Sequence, residues 1–353
     1  MPVNKALLDL AIRRQVTLEK LKARQVRDFS KVFSDISALV RLEFSKLGEL
    51  TSVKRQTVSK LLGTYETKIR DIYKEQIALF TPQLEKVAGV YASMEGIDIM
   101  SSLPGGVEVA SATPKQAFRL AKTRAMGHSG EIMNEFIGKL ATGETSRVVN
   151  TVRQGFFQGQ TNQQILRSVV GTKAANFKDG ILDVSRRNAK TVINTSFQHV
   201  ASVGRMATWK ANEELFTGYQ WVSTLDSITS NKCKSLDGQE FEKWVGPLPP
   251  IHPNCRSTTI AVLNSEFDFL SEGRTRSAEF GPINGKQSYY DWLKTQDADF
   301  QEQALGPARS KLFRDGGLSA EKFRALQLDK NFDPLTLAEM KVLEPEAFKL
   351  AGL

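Results

Sequence analysis

The sequence predicts a mainly α-helical protein with a small α+β domain toward its C-terminus. Apolar residues recur at three- and four-residue steps through most of the first 95 residues, with no proline between Pro2 and Pro82. Two β-rich runs, Tyr219 to Thr224 and Ser257 to Leu263, bracket a stretch too rich in proline and turn residues to be one helix. That stretch, residues 225–259, holds both cysteines of the chain, Cys233 and Cys255, one of its three histidines, His252, and four of its twelve prolines.

The N-terminal stripe runs from Leu7 to Leu47, breaks at Gly48 and Thr51, and resumes from Val53 to Ile77. Thr81-Pro82 has the form of a helix cap and first turn, predicting a new helix there. Residues 1–95 therefore read as a long helical arm, an antiparallel hairpin with a third helix. Its apolar stripe suits both a bundle core and the docking of another protein. Residues 96–113, rich in Gly, Ser and small side chains, read as a flexible junction. Thr113-Pro114 opens a helix to about Ala125, and helices at 131–141, 144–157 and 161–169 complete a helical region over 114–183. Gly127-His128-Ser129-Gly130 reads as a turn between helices, with His128 a solvent or partner contact.

A long helix is expected from Val184 to Asn212, with Ala189, Ile193, Phe197, Val200 and Trp209 among its apolar residues. His199 on this helix is read as a packing histidine that could also supply a metal ligand. This helix, the two β runs and the stretch between them form a core over 184–263. Residues 264–353 read as a wrapping tail, polar and irregular to Gln287 and then built of short capped helices.

Composition bounds the function. With 41% hydrophobic and 25% charged residues the chain has the make-up of a water-soluble globular protein. No apolar run approaches the roughly 20 residues of a membrane helix. The opening MPVNKALLDLAIRR has too short an apolar segment for a cleavable signal. Residues 1–80 carry 16 Lys and Arg against 9 Asp and Glu, a net of +7, so most of the chain's +9 sits in the arm. Such an excess attracts polyanions, and Arg13, Arg14, Lys20, Lys22 and Arg24 are the candidate DNA contacts. The positives are interleaved with acids and lack aromatics, which is also the pattern of a solvated helix face.

The stretch between the β runs carries the chemistry. Asp237-Gly238 is a tight-turn signal, and Pro247, Pro249, Pro250 and Pro253 stiffen the backbone around His252. Two arms, one with Cys233 and one with His252 and Cys255, are thus folded back on each other. Two thiolates and an imidazole are ligands that Zn²⁺ prefers. A tetrahedral site needs a fourth ligand, for which Asp226, Asp237 or water are the candidates. Unpaired buried thiols and a Cys233–Cys255 disulfide remain open beside zinc.

These residues carry a resemblance. The succession Asp226-Ser-Ile-Thr-Ser, Cys233, Leu236-Asp237-Gly238, a proline-rich gap and His252-Pro253-Asn254-Cys255-Arg256 resembles the Mu F-like phage head morphogenesis family, the minor head proteins of tailed bacteriophages. Members often carry a further cysteine at the position of Ser230 and another at that of Ser257. The resemblance extends upstream through Arg187 to Trp209 and loosely into the tail. It implies a virion protein of the phage head, assembled in the host cytoplasm, with the portal and other head proteins as partners. It also implies assembly rather than turnover, and a place in DNA packaging or ejection.

No Ser-His-Asp order, nucleophile elbow, P-loop or dinucleotide-binding glycine pattern occurs. The enzymatic alternative is a zinc-dependent enzyme acting on nucleic acid inside the capsid, built from Cys233, His252 and Cys255 with Asp237 or Glu240 as base. The zinc-deaminase signature places a Glu two residues after the His, where this chain has Asn254.

Overall fold

A computed structural model describes residues 5–46, 55–105, 107–267, 275–279 and 281–353. It is 65% helical with a small three-stranded sheet, which is the fold class that the periodicity and the two β runs imply. The break read at Gly48 and Thr51 lies outside the described residues.

Three helices, α1 (Lys5–Phe29), α2 (Lys31–Ser45) and α3 (Arg55–Ser102), account for the apolar stripe. They are packed along their length rather than projecting from the rest. Phe29, Phe33, Tyr65 and Tyr73 share one core with Val148 and Val152 of α5 (Met133–Phe157) and with Ile193 and Phe197 of α7 (Ile181–Lys210). Two helix starts read from the sequence are absent. α3 runs straight through Pro82, where Thr81 Oγ1 donates to Ile77 O at 3.0 Å. A proline removes one backbone donor, and burial of Phe80 and Leu84 on either side offsets that loss. α5 likewise passes Gly143 without a break, since Ala141, Glu144 and Thr145 around it are all buried.

The junction at 96–113 is also shorter and firmer than its composition suggests. α3 extends through Ser102, and the extended backbone beyond it is strapped to the C-terminal end of α7 and to Asn212 just past it: Ala112 N donates to Thr208 Oγ1 at 3.3 Å and Ala110 N to Asn212 Oδ1 at 2.8 Å. A capping box at Thr113 then opens α4 (Pro114–Thr123), and another at Thr161 opens α6 (Asn162–Val170), as their sequences predict.

Helix α7 is the axis of the molecule. α3 lies so close to it that a Cβ at Gly204 would meet Ala88 O at 2.4 Å. The seam is sealed by a buried ion pair, Arg205 Nε to Glu95 Oε2 at 2.6 Å, with Trp209 Nε1 on the other carboxylate oxygen at 2.6 Å. Arg205 also reaches Thr258, so the same cluster fixes the sheet to the helices.

The sheet has the order β2-β1-β3, all antiparallel, from β1 (Phe216–Val222), β2 (Glu240–Glu242) and β3 (Thr258–Leu263). The two β runs are neighbours, pairing Trp221 with Thr259 and Gln220 with Ile260. Between β1 and β2 lies the short helix α8 (Asn231–Leu236), closed by Gly238 at φ +76°, a left-handed conformation that glycine adopts without strain. A second hairpin, β4 (Thr275–Ala278) with β5 (Gly281–Asn284), occupies part of the passage read as irregular. Short helices follow: α9 (Tyr289–Leu293), α10 (Ala298–Leu305), α11 (Pro307–Asp315), α12 (Ala320–Ala325), α13 (Leu337–Leu343) and α14 (Pro345–Ala351). They bury Tyr289, Tyr290, Trp292, Phe313 and Phe323 in a separate aromatic core that Leu225 enters from the motif stretch.

Candidate metal centre

The two arms meet as the sequence expects. Cys233 sits in the first turn of α8, whose N-cap Ser230 accepts from Cys233 N at 3.3 Å. His252 and Cys255 come from the loop after the prolines, turned by a bond from Cys255 N to His252 O at 3.2 Å. Asn254 adopts φ +58° there, which asparagine tolerates better than most residues. The loop is pinned to α7 by three bonds. Asn254 N donates to Thr195 Oγ1 at 3.1 Å, Asn254 Nδ2 to Thr191 Oγ1 at 3.1 Å, and Asn194 Nδ2 to Asn254 Oδ1 at 2.9 Å.

Sequence reasoning missed those helix residues. Their signal was present, because Thr191, Asn194, Thr195 and Gln198 recur at helical spacing as one polar stripe of this helix. Gln198 continues the support one turn on, donating to Ser257 O at 2.8 Å and accepting from Lys22 Nζ at 2.7 Å.

The donor atoms of Cys233, His252 and Cys255 lie within 4.8 Å of one another. Cys233 Sγ is 3.8 Å from Cys255 Sγ and 3.0 Å from His252 Nε2. Both cysteines are free and buried, while His252 is half-buried. The sulfur separation matches the roughly 3.8 Å edge of a tetrahedron with Zn–S bonds of about 2.3 Å. The sulfur–nitrogen distance is a hydrogen bond, shorter than the corresponding edge of about 3.6 Å, so the ring would retreat by about half an ångström. His252 Nδ1 lies 2.9 Å from Pro253 O. Donation to that carbonyl fixes the tautomer that leaves Nε2 as the free donor atom, the usual support of a ligating histidine. The group can hold a metal.

Its charge is polarised. Burial works to raise both thiols, yet hydrogen bonds from Cys233 and His252 hold Cys255 well below the ordinary thiol range. Burial and the neighbouring Cys255 push Cys233 well above it. Burial opposes charge on His252, but the Cys255 sulfur prevails and raises it. Metal binding here would release the protons that the thiols and the ring share, because only thiolates and a neutral imidazole nitrogen can ligate.

The two candidate aspartates are elsewhere. Asp226 receives Arg256 at both oxygens, 2.7 and 2.9 Å, and caps Thr229. Asp237 is fully buried and accepts four bonds: from Ser223 N at 2.7 Å, Tyr289 N at 2.7 Å, and Arg276 at 2.8 and 2.9 Å. Their lone pairs are committed to guanidinium and backbone groups, and neither belongs to the metal-capable group among the described residues. Asp237 instead ties the turn to β4 and α9. His199 is a packing histidine: Nε2 lies 2.8 Å from Ala121 O, and burial lowers its pKa to about 4. His128 packs edge-on against Phe136 at 5.1 Å between ring centres.

The five candidate DNA contacts divide. Arg13, Lys20 and Arg24 are exposed. Arg14 is held by both oxygens of Asp98, at 3.2 and 2.9 Å, and Lys22 is only 2% exposed, bound to Glu19 and Gln198. Helical phase decides this, since positions 14 and 22 of α1 face inward. Among the described residues no helix is long and apolar enough to cross a membrane.

A family described as "Phage Mu protein F like protein" matches residues 146–260, about a third of the chain. No curated protein and no solved structure matches. The matched region takes in α7, all three strands of the sheet nearly to its end, and every donor of the Cys/His group. Over that region, which carries the motif from which the resemblance was read, the chain is similar to the Mu F-like phage proteins.

Proposed function

We propose that this protein is a minor head protein of a tailed bacteriophage, acting in head morphogenesis at or near the portal. The observation that carries the reading is the coincidence of the Mu F-like match with the pinned Cys/His knuckle. Its mechanism is assembly. The knuckle and the Asp237 clamp hold a rigid surface, and the partners are the portal and other head proteins.

In this reading Cys233, His252 and Cys255 hold zinc, which supplies a cross-link between α8 and the loop after the prolines. Lys22 donates to Cys255 O at 3.5 Å, which ties α1 to the knuckle loop. The enzymatic alternative loses its base at Asp237, whose oxygens are saturated by Arg276 and backbone donors. The exposed Arg13, Lys20 and Arg24 leave a weak, sequence-blind contact to packaged DNA as a secondary role.

The test is a purification of heads and of portal complexes from infected cells, with an affinity tag on the C-terminus. The expected result is recovery of the protein with portal, and loss of mature heads when its gene is deleted. Normal heads from the deletion, or tagged protein recovered free of every head component, would refute the reading.

A further inference from the structure

The Cys/His group offers three ligands, of which His252 borders a cleft. Both cysteines are buried, whereas His252 and Ser230 line this cleft of about 810 Å³ between α1, α7 and the knuckle loop. Ser230 occupies the N-cap one helical turn before Cys233, and its hydroxyl accepts from Cys233 N. No fourth Cys, His or carboxylate joins the three among the described residues. Three protein ligands with one position open to a cleft is the arrangement of a metal that takes an exogenous ligand rather than a closed structural site.

The cleft specifies the ligand's chemistry. Its charged lining is Lys22, Arg187, Lys190 and Arg256 against a single carboxylate, Glu19. Arg256 and Arg187 also hold Asp226 and Asp183, neither of which lines the cleft. Apolar side chains stand beside the charges: Val26 on one wall and Ile228, 77% exposed, at the other. Cations interleaved with apolar side chains suit an acidic peptide better than a nucleic-acid backbone, which has no apolar groups for Ile228 and Val26 to cover.

We propose that this cleft receives an acidic segment of a partner protein, one of whose carboxylates completes the coordination of the metal held by Cys233, His252 and Cys255. The proposal rests on the metal reading above. It makes the partner's side chain the fourth ligand, so docking and metal affinity are coupled, each strengthening the other by the same factor.

The full-length protein loaded with Co²⁺, whose visible bands report ligand number, tests this. Cobalt uptake is read first: a wild-type chain that takes up none refutes the metal reading and this proposal with it. Given uptake, acetate should shift the bands saturably, and hexaglutamate should do so at much lower concentration. Ser230→Cys should close the site, tightening metal binding by about tenfold or more and abolishing the acetate response. Charge reversal of Arg187 and Lys190 to Glu should weaken hexaglutamate by about tenfold while leaving the metal bands unchanged. Bands of loaded wild type that ignore both anions, or a DNA duplex that outcompetes hexaglutamate, would overturn the proposal while leaving the metal reading intact.

Discussion

Two sites built from the same short stretch of chain treat their polar atoms in opposite ways. At Asp237 every oxygen is spoken for: four hydrogen bonds reach a carboxylate with no exposure at all. At Cys233, His252 and Cys255 the donor atoms face one another. Ligand chemistry alone made all of them metal candidates. What separates them is satisfaction, because a saturated buried carboxylate is a structural clamp and a cluster of donors facing inward is a site. The clamp joins two bodies, since Arg276 lies on β4 and Tyr289 opens the aromatic C-terminal core.

The contrast is open to test, most severely at the clamp. Asp237→Ala leaves Arg276, itself 4% exposed, without its counter-charge, and should cost about 3–5 kcal/mol in urea unfolding. Cys255→Ser in metal-stripped protein should stay under about 2 kcal/mol. Equal losses from the two substitutions would erase the distinction.

A smaller effect sharpens it through the histidines. His199 is buried neutral, with burial lowering its pKa from 6.5 to about 4. The unfolded chain binds a proton below pH 6.5 and the folded chain only near 4. The contribution of His199 is therefore fully present above pH 6.5 and lost as pH falls through that window, by about 3 kcal/mol at most. His199→Gln should flatten the stability curve between pH 6.5 and 4 relative to wild type. Parallel curves would show that this ring is not held neutral.

The smallest effect is expected at the surface. Replacing Arg13, Lys20 and Arg24 with Gln should leave stability within about 0.5 kcal/mol. If these side chains touch DNA, the slope of log K against log salt should fall by up to about 0.9 for each phosphate no longer neutralised. An unchanged slope would reduce them to solvated charge. Lys22→Gln, by contrast, should destabilise, because that ammonium is buried against Gln198 and Glu19.

Much of this was legible beforehand because its causes are local. Apolar spacing made the helices, β-branched and aromatic runs made β1 and β3, and Thr113 and Thr161 capped α4 and α6 with their own side chains. The soft donors could be named from residue type, and the prolines and the Asp-Gly turn implied that they meet. The misread boundaries share one cause. Pro82 and Gly143 are breakers by propensity, but each lies in a helix whose flanking side chains are buried by distant elements, and burial outweighs about 1–3 kcal/mol of local preference. The roles of the charged groups were settled at longer range still. Arg256 reaches Asp226 across 30 residues, Arg276 reaches Asp237 across 39, and Asp98 reaches Arg14 across 84. Residue type fixes what a side chain can bond. Only the tertiary structure, by bringing a partner within about 3 Å or leaving none, decides whether that capacity is spent on the fold or kept for a ligand.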